Sequence, residues 1–290
     1  MVTTIRVAHS PDSDDAFMFY ALAEGKIDTG DLRYAHELAD IESLNQRARR
    51  KELDVSAVSI HAYAYLADDY ALLNSGSSMG DGYGPRLVGR SAAPANDGGA
   101  GIVGSAARGA ARGQRIAVPG LLTTAYLALR LWQPDFQPVV VPFDRIEAAV
   151  QEGDADLGLL IHEGQLTYAD DGLSLWVDLG QWWLAETGLP LPLGGNVVRR
   201  DLGRDVIEQI GRDLRSSIVY SLEHRNAALD HARQFNRGIS DERTDTFVGM
   251  YVNAWTVDYG PRGRQAVQVL LDRAAEAGII PMPVSVDFVG

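Results

Sequence analysis

The sequence predicts an α/β fold of two lobes with a cleft between them. Three observations point there. Short strand-like apolar runs alternate with helical spacing from Thr4 to Glu163. The alternation breaks once, in the Ala/Gly-rich stretch Ser91 to Gly113, and then restarts. A mostly helical tail follows Asn196–Arg200 and lets the chain return to the first lobe. The length, 290 residues, suits about two domains of ~150 residues.

The elements follow in order. "TIRVAHS" reads as a strand ending at Ser10, and "DDAFMFYALAEG" as a helix stopped by Gly25. "DIESLNQRARRKE" puts Ile41, Leu44 and Ala48 on one face, with Asp40 as N-cap. "LDVSAVS" is a strand and "IHAYAYLADD" a short helix. "YALLNSG" and "GPRLVGR" are strands around the Gly-rich loop "GSSMGDGYG". Ser91 to Gly113 reads as a linker or surface loop. Then come strand "QRIAVPG", helix "TTAYLALRLWQ", strand "QPVVVPF", helix "DRIEAAVQEG" and strand "ADLGLLIHE". Leu44, Ala48 and Asp54 are echoed 102 residues later by Ile146, Val150 and Asp156, as two similar lobes or generic β-α-β patterning would produce. Helices are expected at about 203–224, 225–237, 240–258 and 261–277. The lobes are then residues 1–90 with 198–290, and residues 91–197. Chain crossings near Leu87–Arg90 and Asn196–Arg200 form the hinge.

Composition limits the function. A formal charge of -13 argues against nucleic acid or an anionic membrane as partner, because both demand clustered Lys and Arg. A small anionic substrate remains compatible, since a local site can oppose the global charge. The absence of cysteine removes disulfides, Cys-zinc sites, iron–sulfur clusters and a thiol nucleophile. The first residues carry no basic n-region or long apolar core, and no run approaches the ~18 apolar residues of a membrane span, so the chain reads as cytoplasmic. His9, His36, His61, His224 and His231 show no metal-ligand spacing.

In open α/β sheets ligands sit at the carboxyl ends of strands, where helix N-termini offer free N–H groups. The polar residues at those ends are Ser10, Asp14, Asp15, Ser59, Thr123, Thr124, His162 and Glu163. Thr123 and Thr124 are either an ordinary N-cap or a cradle for a carboxylate or phosphate. Ser10 and Ser59 carry the same pair of readings. Asp14 and Asp15 either answer the dipole of a helix N-terminus or orient a substrate hydroxyl or water. His162, after five apolar residues, is either a core histidine satisfied by backbone or a general base at neutral pH. Tyr168 borders the expected cleft. Trp182 and Trp183 are adjacent, so either one of them lines a groove or interface or both serve in packing of the lobes.

Four segments, "IHEGQLTY", "GQWWLAETGLPLPLG", "AVPGLLTTAYLAL" and "YVNAW", resemble the 1,4-dihydroxy-6-naphthoate synthase family of the futalosine route to menaquinone. The resemblance runs in order along nearly the whole chain. It implies a periplasmic-binding-protein-like (type II) fold used by an intracellular lyase. The implied reaction turns cyclic dehypoxanthine futalosine into 1,4-dihydroxy-6-naphthoate without a cofactor. His162 matches the family's base, and Thr123 and Thr124 match threonines that line its cleft. Ser10, Asp14, Ser59 and Tyr168 complete the expected substrate site. The chain departs from the family at "SPDSDDAF", where the usual pattern is "SPCPNDTF". Asp14 replaces an amide and Ala16 a threonine, so an acceptor-only carboxylate is expected where a donor stood. The Ala/Gly-rich insertion is also longer than usual. A paralogous enzyme acting on a related small aromatic carboxylate, or a solute-binding protein, is the alternative; the sister chorismate dehydratase shares the fold, but its N-terminal motif is missing here.

Overall fold

The computed structural model describes residues 2–94, 105–235 and 240–290. The first ninety residues build β1 (Thr3–His9), α1 (Ser13–Ala23), β2 (Leu32–Leu38), α2 (Ile41–Arg49), β3 (Val55–Ser59), α3 (Ile60–Tyr63), β4 (Tyr70–Leu73), β5 (Ser78–Gly80) and β6 (Arg86–Gly89). Then follow α4 (Ser105–Ala110), β7 (Arg115–Val118), α5 (Thr124–Trp132), β8 (Gln137–Val140), α6 (Ile146–Glu152), β9 (Leu157–Leu160), α7 (Gly164–Thr167), β10 (Ser174–Asp178), α8 (Leu179–Thr187) and β11 (Leu191–Arg199). The tail is α9 (Arg204–Glu223), α10 (Arg225–Ala232), α11 (Asp241–Tyr251), α12 (Ala254–Val257), α13 (Gly260–Glu276) and β12 (Phe288–Val289).

Two sheets organise these elements. The first has the order β12-β4-β11-β3-β1-β2, with β5 also paired to β11; the second runs β10-β6-β9-β7-β8. In each, a β-α-β-α-β run sets its first strand between two parallel neighbours, β1 between β2 and β3 and β7 between β8 and β9. The echo at 102 residues has physical content. Asp54 accepts the Arg6 backbone N–H at 2.9 Å, and Asp156 accepts that of Arg115 at 2.9 Å. In each lobe one aspartate thus ties the start of a later strand, β3 or β9, to β1 or β7. Helices α1 and α9 cover the first sheet, and one apolar cluster joins the lobes through Val58, Tyr70, Leu72, Leu87, Leu159 and Trp183.

Several local expectations need amending. Ser105–Ala110 of the expected loop is a helix, with Ala107 and Ala111 buried, because alanine pairs high helix propensity with a side chain small enough for close packing. Residues 95–104 of that loop lie outside the described residues. Leu32–Leu38 is a strand that its weak apolar alternation does not announce; its parallel register with β1 defines it. Trp182 and Trp183 are both buried, and the Trp183 indole donates to the Pro190 carbonyl at 3.2 Å. The chain passes from the first sheet to the second between Gly80 and Arg86 and is back in the first by Leu191, so β6 pairs with β9 and β10, and the whole of β11 lies in the first sheet.

The two passages touch backbone to backbone. A Cβ at Gly180 would overlap the Tyr83 carbonyl, and one at Gly84 would stand 2.8 Å from the Gly180 nitrogen. Leu179 N–H donates to Pro85 O at 2.9 Å beside this contact. No side chain there can move aside. Gly180→Ala should therefore cost about 1–3 kcal/mol of stability and part the lobes. Gly109→Ala, at an exposed position of α4 with nothing within 4 Å of its Cβ, should be neutral or stabilising by up to ~1 kcal/mol. Urea unfolding and the radius of gyration in solution check both; equal responses would refute the constraint.

Candidate functional site

A cavity, partly open to solvent, lies between the lobes. It sits at the carboxyl ends of β1, β3, β7 and β9, where the loops lead into α1, α3, α5 and α7. Ser10, Asp14, Ser59, Thr123 and Thr124 line it. Its walls among the described residues do not include His162 or Tyr168.

On the first lobe, Asp12 precedes α1, and Asp14 and Asp15 occupy its first turn. Asp15 accepts the Ser10 N–H at 2.8 Å, and the Ser10 hydroxyl donates to Asp12 at 2.9 Å. Both Asp14 and Asp15 are half-buried and line the cavity. Burial drives the Asp14 carboxyl well above the carboxylate range, with Asp15, Asp12 and Glu163 adding to the effect. Burial likewise raises Asp15 to about 7, against the opposing Ser10 N–H. Asn45, fully buried on α2, holds Ser59 twice: its Oδ1 accepts Ser59 N–H at 2.9 Å and its Nδ2 donates to Ser59 Oγ at 3.1 Å. The Ser59 hydroxyl proton is thereby left for another acceptor. Asn196 on β11 donates to Gly76 O at 2.9 Å, and its buried Oδ1 has no hydrogen-bond partner.

On the second lobe the threonines act differently from a hydroxyl cradle. Thr123 caps its own helix, accepting Tyr126 N–H at 3.2 Å and donating to Gly120 O at 2.9 Å. Thr124 donates to Leu193 O at 2.5 Å and accepts His61 N–H at 3.2 Å. Both hydroxyls are committed to protein. What faces the cavity is the first turn of α5, where the N–H groups of Thr124 and Ala125 have no intrahelical acceptor.

The expected projection of His162 into the crevice is absent. Its Nε2 donates to Phe143 O at 2.9 Å, and Nδ1 accepts Gly164 N–H at 2.8 Å, which fixes the tautomer. The ring lies edge-on to Phe143. Its neighbours Ile161 and Gln165 line the cavity on either side of it in sequence. Glu147 flanks the ring: its Oε1 has no hydrogen-bond partner, and burial raises its carboxyl while His162 pulls it down. Tyr168 serves elsewhere, its ring under the Arg86 guanidinium at 5.7 Å. Arg86 pairs with buried Asp178 at 3.3 Å and also donates to the Gln165 carbonyl.

Gln165 and Tyr251 were not expected. The Tyr251 hydroxyl donates to Gln165 Oε1 at 2.8 Å, joining α11 of the tail to α7 and leaving the Gln165 amide N–H groups for the cavity. The sequence signal for Gln165 was its place one turn after His162; for Tyr251 and Phe247 it was only their spacing of four on one helix. Further bonds close the cleft: Ser13 to Glu163 at 3.0 Å, Leu122 N–H to Glu42 at 3.2 Å, and Arg243 to Asp170 at 2.6 Å. Among the described residues no His/Cys/Asp/Glu group has the geometry of a metal site.

The model of a family described as menaquinone biosynthesis matches residues 5–276. The 1,4-dihydroxy-6-naphtoate synthase of Thermus thermophilus is 39% identical over 275 residues, 95% of each chain. That of Streptomyces coelicolor is 36% identical over 288 residues, covering 96% of this chain and 95% of its own. Among solved structures, a protein from Archaeoglobus fulgidus superposes with a TM-score of 0.87 at 46% identity, covering 96% of this chain and 98% of that one. A Candida albicans protein with the generic periplasmic binding protein fold superposes with a TM-score of 0.66 at 15% identity, covering 100% of this chain and 98% of its own. The architecture is therefore the two-lobed periplasmic-binding-protein fold.

The raised Asp15 carboxyl has a consequence for stability. Its contribution is fully present below the unfolded value near 4 and is lost as pH rises through about 7. Asn cannot ionise, so Asp15→Asn should gain on the wild type by about 1–4 kcal/mol across that window in urea unfolding. Parallel pH dependence of the two proteins would show that Asp15 titrates normally.

Proposed function

The chain belongs to the 1,4-dihydroxy-6-naphthoate synthase family of menaquinone biosynthesis, a family of lyases, and we propose that it converts cyclic dehypoxanthine futalosine to 1,4-dihydroxy-6-naphthoate by general-base catalysis without a cofactor. The observation that supports this reading best is the division of labour in the cavity. One wall offers the free N–H groups of α5, suited to a carboxylate. The opposite wall offers carboxyl groups, the Ser59 hydroxyl and the unpartnered Asn196 oxygen, suited to sugar-derived hydroxyls and oxygens. An anionic aromatic acid carrying a sugar-derived ring fits that polarity, with its charge at the helix and away from the aspartates.

His162 is the proposed base. Removing the proton next to the substrate ketone gives an enolate, and elimination, carbon–carbon cleavage and aromatisation follow. To reach the substrate the ring leaves Phe143 O and Gly164 N–H, a side-chain rearrangement of the kind that substrate binding brings about in other active sites. Glu147, half-buried beside the ring with an unpartnered oxygen, then stabilises the imidazolium that proton abstraction creates. Closure of the lobes excludes water.

One specific observation favours a second base, Asp15, which lines the cavity and titrates at about 7. Incubation with cyclic dehypoxanthine futalosine and mass spectrometry of the product tests the reaction. His162→Ala should lose ~10²–10⁴-fold in kcat while still binding the naphthoate product. Near wild-type turnover of that variant, with the loss falling on Asp15→Asn, would move the base to Asp15. Saturable binding of the substrate by the wild type with no product would mark a solute-binding protein.

A further inference from the structure

Asp12, Asp14 and Asp15 line the cavity from the start of α1, and no Lys, Arg or His lines it among the described residues. Facing them across the cleft, Glu163 is 2% exposed; its Oε1 accepts the Ser13 hydroxyl at 3.0 Å and its Oε2 has no partner. Asp14, Asp15 and Glu163 thus meet in a confined space that no Lys, Arg or His of the described residues lines. They cannot all be charged, because each buried carboxylate penalises the next.

We propose that Asp14 enters the reaction as the neutral acid and donates its O–H to the substrate carbonyl oxygen that becomes the enolate. This rests on the general-base reading and goes beyond it. When a base removes the carbon-bound proton, the electron pair moves onto that oxygen. A carboxylate beside it would repel the new charge, whereas an acid hydrogen-bonds to it more strongly as the charge grows. The proton stays on Asp14 throughout, so the step balances without a further acid. The acceptor-only carboxylate expected from the residue type is thereby reversed by its surroundings.

The ionisable groups facing Asp14 are Asp12 and Asp15 at the start of its own helix, Glu163 beside α7 and Tyr251 on α11. Burial and the three carboxyls all raise its titration point, and only the Asp15 backbone N–H opposes them. Asp15 differs in accepting the Ser10 N–H at 2.8 Å, a bond that favours its charged form and works against its burial.

The test compares pH–rate profiles of wild type, Asp14→Asn, Asp14→Ala and Glu163→Gln with cyclic dehypoxanthine futalosine. Asp14→Ala should lose ~10²–10³ in kcat, the effect of removing one oxyanion donor. Asp14→Asn keeps a donor that cannot ionise; it should stay within ~10-fold of wild type and lose the alkaline decline due to Asp14. Glu163→Gln, which removes a carboxyl that raises Asp14, should move that decline to lower pH. An Asn variant as slow as the Ala variant, or one with the wild-type alkaline decline, would overturn the proposal. Infrared difference spectra at neutral pH give a readout that needs no turnover. The carbonyl absorption of a neutral acid should be present in the wild type and lost in Asp14→Asn. Its absence from the wild type sinks the proposal even in an active enzyme. Its presence in a protein that makes no naphthoate would locate the failure in the reaction assigned above.

Discussion

Where the two interlobe passages cross, Tyr83–Gly84 and Gly180 meet with no side chain between them. This contact sets how far apart the lobes stand, and much of the site follows from it. Asp178, the residue before α8, caps that helix through Gly180 and Gln181 N–H and receives Arg86 from the other passage. Arg86 in turn holds the Gln165 carbonyl at the cavity wall. A wider crossing would part Ser13 from Glu163, Tyr251 from Gln165 and Leu122 from Glu42 together. The closed cleft is therefore one mechanical unit with the crossing as its fulcrum.

The cavity's electrostatics use backbone where other sites use cations. The chain carries a net charge of -13, and no basic side chain lines its cleft among the described residues. The N–H groups of α5 present an anion with a dipole that is fixed and needs no side-chain ordering, as the proposed substrate carboxylate would use. The N-terminus of α1 faces the same space with Asp12 at the cap and Asp14 and Asp15 in the first turn, and there the helix dipole partly offsets their mutual repulsion. Solute-binding proteins share the architecture, so function resides in this arrangement of groups and not in the fold.

What could be read in the sequence was local. Asp40 caps α2 by accepting Ser43 N–H at 3.0 Å, as its place before Ile41 suggested. The strands that end at His9, Ser59, Val118 and Leu160 were visible as apolar runs, and the rule that ligands gather at such ends led to Ser10, Asp14, Ser59, Thr123 and Thr124, which line the cavity. Side-chain direction was not readable. His162 follows its strand as expected, yet its ring turns back to Phe143, 19 residues earlier in the chain. The threonine hydroxyls are taken by Gly120, Leu193 and His61, two of them from beyond their own loop. Tyr251 reaches the site from a tail helix 86 residues from its partner Gln165.

By itself the sequence determined the alternation of strands and helices, the α/β class and the family, because hydrophobic period, capping and ordered motifs are properties of neighbouring residues. The tertiary structure decided which polar groups remain unspent. A hydroxyl, an imidazole nitrogen or a carboxyl offers its chemistry to a ligand only if no distant carbonyl or N–H has claimed it. Its proton affinity follows from the charges and the water around it. Both depend on contacts between residues far apart in the chain, as with Asp14 and Glu163, and no stretch of sequence encodes them alone.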